Sequence, residues 1–189
     1  DPSSANSRQI IEKIKDLEHQ GYQFEGADAS LELLIREANG DMKELFTFES
    51  FKMLVEKAAD KSVVSEAFVK LNVAGTSVYT AAEGNGPVNA LDNALRKALV
   101  QYFPSLANMH LSDYKVRVLD EKDATAAKVR VLIESKNTEN TWNTVGVSEN
   151  VIEASWEALV HSFRYALLQE KLQDEPNVVH TAMHGLSNH

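Results

Sequence analysis

The sequence predicts an α+β fold in which two pseudo-symmetric βββα units form one domain, preceded by a small helical subdomain. The first observation is that a strand, a short turn and an amphipathic helix follow one another twice, at residues 76–102 and 140–167. In both runs the two-residue alternation of a half-buried strand gives way to the spacing of a helix with one apolar face. The second observation is that two further strand-like runs precede each segment, so the order of elements repeats.

Composition bounds the class of protein. A chain of 189 residues has room for one medium domain with an appendage, and its net charge of −9 argues against binding to nucleic acid or anionic membranes. The absence of cysteine rules out disulfides and thiolate chemistry. No apolar run approaches the roughly 20 residues that cross a bilayer and none resembles a signal peptide, so we expect a cytoplasmic protein. Because the chain starts without Met in a helical pattern, we expect a part of a longer chain, although removal of a tag would leave the same start.

Residues 1–44 are the predicted helical subdomain. Helices are expected at residues 6–20 and 27–38, the second ended by Asn39 and Gly40. Their apolar faces are formed by Ile10, Ile14 and Leu17 and by Leu31, Leu34 and Ile35. Helices this short cannot bury a core of their own, so they must pack on the rest of the chain. Tyr22 and Phe24, in the connection between them, are the expected anchors.

The first βββα unit is predicted at residues 45–104. Strands are expected at 46–55, with a break in alternation near Ser50, at 64–74, and from residue 76 to the turn at 83–86. Gly75 and Thr76 are the expected hairpin turn between the second and third strands. Pro87 suits the first residue of a helix, and Pro104 ends the unit.

The second unit is predicted at residues 110–172, within a domain spanning 45–172. Strands are expected at 111–120, 128–136 and 141–147, with a polar hairpin loop at 120–126. A helix follows the turn at 146–150, with Ser148 as its N-cap and Glu149 in its first turn. Residues 173–189 lose all periodicity and are predicted to be a disordered or peripheral tail.

The sequence contains no persuasive catalytic constellation. It has no GxSxG, P-loop or GxGxxG motif, and Glu83 beside the glycine turn is more simply structural. His180 and His184 have the i, i+4 spacing of a metal pair but no Glu beside the first, so we predict no metal site and no catalytic residue. The two helix N-termini are the better candidates for a binding site, because their free N–H groups suit a carboxylate or a phosphate. A plain strand-to-helix connection is the alternative.

Three segments resemble a known family. The stretches GTSVYTAAEGNGPVNALDNALRKAL (75–99) and TWNTVGVSENVIEASWEAL (141–159) resemble the C-terminal regulatory domain of the isopropylmalate and citramalate synthase family. The stretch LEHQGYQFEGADASLELLIRE (17–37) is similar to the linker subdomain of the citramalate synthase branch. The resemblance covers residues 8–172. It identifies the helical subdomain as a linker and the two units as a regulatory domain.

The resemblance implies a feedback-inhibited enzyme of branched-chain amino-acid biosynthesis. Its catalytic part would be an upstream (β/α)8 barrel, an acyltransferase that holds a divalent metal and condenses acetyl-CoA with a 2-oxo acid, pyruvate in the citramalate branch. The part present here would need no cofactor. It would form a homodimer and bind the end-product amino acid near its helix N-termini, close to the dimer interface. That effector is isoleucine for the citramalate branch and leucine for the isopropylmalate branch.

The implied effector site has a polar half and an apolar half. The polar half is assigned to Gly86, Pro87, Val88 and Asn89 in the first turn and to Gly146, Ser148 and Asn150 in the second. Positions that line the apolar pocket in family members match Leu111, Tyr114, Val118, Ala127 and Val129, which alternation places on one face. They could equally be ordinary core. Many relatives carry an acidic residue at Asn89, so the effector's ammonium would instead meet that amide, backbone carbonyls or Asp92.

Three hypotheses follow: an isoleucine sensor, a leucine sensor, or a structural dimerisation domain that binds no small ligand. The two amino acids differ in the position of one methyl group, worth only about 1–3 kcal/mol in an apolar pocket. The homodimer is also expected on physical grounds. Six strands in one sheet, with two long helices to cover it, would leave apolar surface for a partner.

Overall fold

The computed structural model describes the backbone of residues 2–60, 62–119 and 127–185, and the side chains of residues 5–60, 62–119 and 127–173. The predicted hairpin loop at residues 120–126 lies outside the described residues. None of the described helices combines the length and hydropathy needed to cross a membrane.

Two helices form the linker subdomain. They are α1 (Pro2–His19) and α2 (Asp28–Asn39), close to the predicted ranges. Gly40 ends α2 in the left-handed conformation, with φ of 74°, and its N–H reaches the carbonyls of Arg36 and Glu37. The predicted anchors do pack: Phe24 is buried with Val145 and Val147 of the second unit, and Tyr22 lies against the same cluster.

The first unit consists of β1 (Phe46–Lys57), β2 (Val63–Val73), β3 (Thr76–Gly84) and α3 (Pro87–Leu99). The strands form an antiparallel sheet in the order β1-β2-β3, and the predicted break near Ser50 is a register shift between Phe48 and Ser50. The hairpin turn is Ala74–Gly75, one residue earlier than predicted. Both residues have positive φ, 51° and 83°, which a two-residue turn between twisted strands requires.

The second unit consists of β4 (His110–Leu119), β5 (Lys128–Lys136), β6 (Thr141–Ser148) and α4 (Val151–Gly185). A 3-10 turn at Pro104–Asn108 joins it to the first unit. The antiparallel order is β4-β5-β6, again with a register shift in the first strand, between Leu111 and Asp113. The α+β class with two βββα units is therefore confirmed.

The last helix continues into the predicted tail. The backbone of α4 runs to Gly185, beyond residue 173, where the sequence loses its periodicity. Extending an existing helix by one residue fixes few further dihedral angles, so a helix can outlast the apolar stripe that anchors its start.

The two units share one internal spacing. The Thr80 hydroxyl donates to the Ala94 carbonyl at 2.8 Å, and 64 residues later Thr144 donates to Ala158 at 2.7 Å. In the same register, the first-turn bond from Ala90 N–H to the Gly86 carbonyl recurs from Ala154 N–H to Asn150. The third strand of each unit is thus hydrogen-bonded to the following helix in the same way. The two units can therefore be compared position by position.

The strands form two separate three-stranded sheets, and the expectation of a single six-stranded sheet is wrong. Each unit folds its own helix onto its own sheet, because a short strand–turn–helix connection keeps neighbours in sequence together in space. Both helices and both sheets contribute to one core; Phe48 and Phe51 of β1, for example, meet Trp156 of α4 at ring distances of 5.1 and 5.3 Å. The linker packs on the second unit, against α4 and β6.

Candidate functional site

The first turn brings the end of β3 directly onto the start of α3. A Cβ atom at Gly84 would lie 2.3 Å from the backbone nitrogen of Ala90, so only glycine fits there. Gly86 is the N-cap of α3 in an extended conformation, and Pro87 is the first helical residue, as predicted. Because Gly86 has no side chain, the N–H groups of this helix end receive no side-chain cap. The turn therefore presents donors to an anion.

Asn89 and Asp92, named as possible partners of the ammonium, are both engaged in hydrogen bonds within the chain. The Asn89 side-chain oxygen accepts from the Asn85 N–H at 3.1 Å and from the Asn93 amide at 3.4 Å, which closes the turn on itself. Asp92 is buried and paired with Arg96 at 3.0 and 3.2 Å. Burial raises the pKa of the Asp92 carboxyl, while the Arg96 guanidinium opposes that rise. Asp92 therefore forms an internal ion pair with Arg96, and we no longer propose it as the partner of the effector's ammonium group.

The second turn is built differently. A Cβ atom at Gly146 would lie 2.0 Å from the carbonyl oxygen of Ala154, so this strand also needs glycine to approach its helix. The N-cap of α4 is Asn150, whose side-chain oxygen accepts from the N–H groups of Ile152 at 2.8 Å and Glu153 at 3.3 Å. The prediction of Ser148 as the cap is wrong because α4 begins at Val151, directly after Asn150.

Ser148 has another role in this turn. Its hydroxyl accepts from the Asn150 N–H at 3.1 Å and donates to the Glu153 carboxylate at 2.6 Å. The α4 terminus thus satisfies N–H groups with its own side chains, whereas the α3 terminus has no side-chain cap. The two turns are alike in fold and unlike in capacity for an anion.

The predicted apolar residues share one face of the second sheet. Tyr114 stands opposite Ile133 and Val118 opposite Val129, and directly opposed residues of antiparallel strands point to the same side. Ile133 is fully buried, so this face is the one covered by α4. Leu111, Tyr114 and Val129 are half-buried against the core, and the Tyr114 hydroxyl lies 3.0 Å from that of Ser155 on α4. These three have the contacts of core residues.

Val118 is the exception, being 74% exposed. Val118 on β4 lies opposite Val129 on β5, and Val129 lies opposite Ser148 at the end of β6. The two valines therefore form an apolar surface that ends at the second turn. Ala127 is exposed in a bend just before β5. The structure therefore brings Val118, Val129 and Ser148 together. The described hydrogen bonds of the first turn join it to the end of β3 and to α3.

No pattern in the sequence predicts the polar contacts between the linker and the second unit. Ser30 of α2 is buried, and its hydroxyl accepts from the Val145 N–H on the edge of β6 at 3.0 Å. The same hydroxyl lies 3.1 Å from Nδ1 of His161, and burial lowers the pKa of His161 to about 4. The signal was a Ser on the packing side of α2 and a His beside the stripe of α4, which is too common a pattern to be specific.

Arg130 makes a second such contact. It donates to the carbonyl of Gly21 at 2.7 Å and to the side chain of Gln23 at 2.9 Å. A strand arginine thus holds the connection between α1 and α2. Among the described residues, no group of three or more potential ligands is gathered around a point that could hold a metal ion. The resemblance assigns its divalent metal to the catalytic part and not to any residue of this chain.

Similarity to known proteins shows the family of this chain. A family model described as the LeuA allosteric (dimerisation) domain matches residues 25–167. The chain is 52% identical to an (R)-citramalate synthase of Aquifex aeolicus over 172 residues, which is 90% of this chain and 33% of that protein. It is 52% identical to one from Geobacter sulfurreducens over 84% of this chain and 30% of that protein.

A 2-isopropylmalate synthase of Shewanella sediminis is 34% identical over 57% of this chain and 19% of its own length. The chain thus spans about a third of the length of the citramalate synthases that it matches. The family match includes both turns, both sheets and α2. The chain belongs to the LeuA allosteric (dimerisation) domain family, as a regulatory domain most similar to those of citramalate synthases.

Proposed function

We propose that this domain binds isoleucine and passes its presence to a catalytic part of the same protein. The observation that carries the proposal is the strand face formed by Val118 and Val129, which leads to the polar turn at Ser148 and Asn150. An aliphatic amino acid needs an apolar surface beside polar groups, and this strand face and turn combine the two. The identity to citramalate synthases supports isoleucine over leucine.

Each charged group of the amino acid is given a partner in this proposal. The carboxylate is held by N–H groups of the first turn, the second turn or both; the second turn lies beside Val118 and Val129, and the first is the one whose helix has no side-chain cap. With Asp92 withdrawn, the ammonium is assigned to Glu153, an exposed carboxylate bonded to Ser148. The aliphatic side chain is assigned to Val118 and Val129.

The rest of the protein is proposed from its relatives. We expect an upstream catalytic barrel that uses a divalent metal to condense acetyl-CoA with pyruvate, with this domain as its feedback regulator. The domain alone should have no synthase activity. Incubating it with acetyl-CoA, pyruvate and a divalent metal should release no CoA above background, and sustained release would contradict the assignment.

A thermal-shift panel tests the effector. A ligand that binds only the folded state at 100 times its Kd adds about 2.7 kcal/mol, which moves the melting midpoint of a domain this size by several degrees. Isoleucine should produce that shift, whereas leucine and valine should produce less. Isoleucinamide is the matched control, because it keeps the side chain and the ammonium but loses the carboxylate. An equal shift from isoleucinamide would contradict the helix-terminus site, and a larger shift from leucine would favour the isopropylmalate branch.

A dimerisation domain without a ligand is the second candidate. Apolar residues that a monomer would normally cover are exposed on both sheets: Leu54, Val55, Val63, Val64, Val116 and Val118. They favour association whether or not an amino acid binds. If no branched-chain amino acid shifts the melting midpoint, this candidate becomes the better one.

A further inference from the structure

One carboxylate joins the second turn to the linker. Glu157 of α4 accepts a hydrogen bond from the Val147 N–H at 3.1 Å, and Val147 lies between Gly146 and Ser148. The other oxygen of Glu157 accepts a hydrogen bond from the Tyr22 hydroxyl in the α1–α2 connection. A single side chain therefore touches the strand end that forms the proposed site and the subdomain that leads away from it.

The link is partly shielded from water. Tyr22 and Glu157 are half-buried and line a cavity of about 180 Å³ between the linker and α4. Burial raises the pKa of Glu157, while its hydrogen bonds to Tyr22 and Val147 favour the charged form. Burial and the neighbouring carboxylate raise the pKa of Tyr22, which keeps its hydroxyl a donor. Charge-assisted hydrogen bonds of this kind are stronger and more directional than neutral ones.

The first unit has a neutral side chain at the position that corresponds to Glu157. At the spacing of 64 residues, Asn93 corresponds to Glu157 and Glu83 to Val147, and the Asn93 amide donates to the Glu83 carbonyl at 2.9 Å. Both helices thus hold the end of their strand with one side chain. In the first unit that side chain is a neutral amide whose other described bond is to Asn89 of its own turn. In the second it is a carboxylate that continues to another subdomain.

We propose that Glu157 and Tyr22 are positioning residues that couple the second turn to the linker subdomain. The proposal rests on the regulatory function proposed above and names its route. Ligand binding at the turn should then alter the linker, and loosening the linker contact should alter the turn, because coupling between sites is reciprocal. The first turn lies outside this route.

The test is hydrogen exchange on the whole chain with Tyr22→Phe, which removes one hydroxyl. Without ligand, exchange at residues 145–149 should become several-fold faster, while exchange at 83–89 stays unchanged. Glu157→Gln should give the same pattern and guards against an effect peculiar to Tyr22. Asn93→Ala is the mirror control and should change only the first turn.

Tyr165→Phe separates this link from general loosening of the linker. The Tyr165 hydroxyl donates to Glu32 of α2 at 3.0 Å, so it also joins α4 to the linker by a tyrosine–carboxylate bond, but outside the turn. Its loss should leave residues 145–149 unchanged. If Tyr165→Phe changes the turn as much as Tyr22→Phe does, or if Tyr22→Phe changes nothing there, the proposed coupling is overturned.

Isoleucine provides the second readout. In the unaltered protein it should slow exchange at residues 20–34, and Tyr22→Phe should abolish most of that protection while the isoleucine thermal shift persists. Retained protection in Tyr22→Phe would overturn the coupling. Absence of any isoleucine shift in the unaltered protein would instead count against the proposed function, and the exchange comparison without ligand would still decide the link.

Discussion

At the scale of single residues, Gly146 has no room for a side chain. A methyl group there would meet the backbone carbonyl of Ala154 at 2.0 Å, and backbone atoms of a packed helix cannot move aside as a flexible side chain can. Gly86 has open space around its Cβ direction and an extended φ of −175°, which any residue adopts. The two glycines border the two proposed turns, so they form a matched pair.

We therefore expect Gly146→Ala to destabilise the domain by about 1–3 kcal/mol, the usual cost of forcing extra volume into a packed interior. Gly86→Ala should cost less, at most about 1 kcal/mol, because the added methyl group meets nothing and the only loss is that alanine is a poorer N-cap than glycine. Denaturant unfolding of both variants and the unaltered protein measures the difference. Equal stability of the two variants would show that α4 can shift away from β6 without cost.

His161 gives stability a dependence on pH. Its folded pKa of about 4 lies below the ordinary value of 6.5, so the unfolded chain binds more protons between these two values. The sign is therefore that stability is complete above about pH 6.5 and falls as the pH is lowered towards 4. The raised pKa of Glu157 acts in the opposite direction. A shift of this size corresponds to at most roughly 3 kcal/mol.

The measurement is denaturant unfolding from pH 7.5 to 4.5 for the unaltered protein and for His161→Gln, which keeps a polar partner for Ser30. The variant should lose less stability across this range, and the difference between the two curves isolates the histidine from Glu157. Parallel curves would mean that His161 titrates normally in the folded protein.

At the scale of elements, we expect stability and ligand binding to depend on different residues of β4. Val118 is 74% exposed, so its truncation removes little buried surface, whereas Tyr114 packs on the core and meets Ser155. Val118→Ala should change stability by less than about 0.5 kcal/mol. Tyr114→Ala should cost about 2–4 kcal/mol, somewhat below the usual range for a fully buried aromatic because Tyr114 is only half-buried.

Val118→Ala should weaken isoleucine binding, and titration calorimetry on the folded protein measures this. Removing two methyl groups from contact with an aliphatic ligand should raise the Kd about tenfold, as expected for about 1–3 kcal/mol of lost apolar contact. Val129 lies opposite Val118 and would keep part of the surface. An unchanged Kd in Val118→Ala would remove the exposed part of the strand face from the site.

Elements were predictable where the pattern is local. Alternation and helical spacing located every strand and helix of both units, and Pro87 and Ser50 marked features that the structure contains. What the sequence missed depends on distance: Tyr22 and Glu157 are 135 residues apart, and no periodicity reports such a pair. The same holds for Asp92, whose burial follows from the fold around it. Asn150 was missed because Ser148 is an equally good cap by residue type.

At the scale of the whole molecule, the apolar side chains exposed on the strands favour association with a second copy of the chain. The linker covers the second sheet on the side of Leu132 and Val145, and α4 covers the other side at β5 and β6. That leaves Val116 and Val118 of β4 exposed, 45% and 74%, on the α4 side of an edge strand. An edge of this kind invites pairing with an identical surface around a two-fold axis.

We therefore expect a homodimer, with sedimentation giving about twice the chain mass of 21.0 kDa at micromolar concentration. Val116→Glu should shift the dimer towards monomer, because a carboxylate buried in an apolar interface without a partner costs several kcal/mol. Lys115→Glu is the matched control: it places the same group on the neighbouring residue of β4, which points to the opposite face. Dissociation by both variants would indicate a general charge effect. A dimer that survives Val116→Glu but not Leu54→Glu would move the interface to the first sheet, and a monomeric unaltered protein would contradict the dimer altogether.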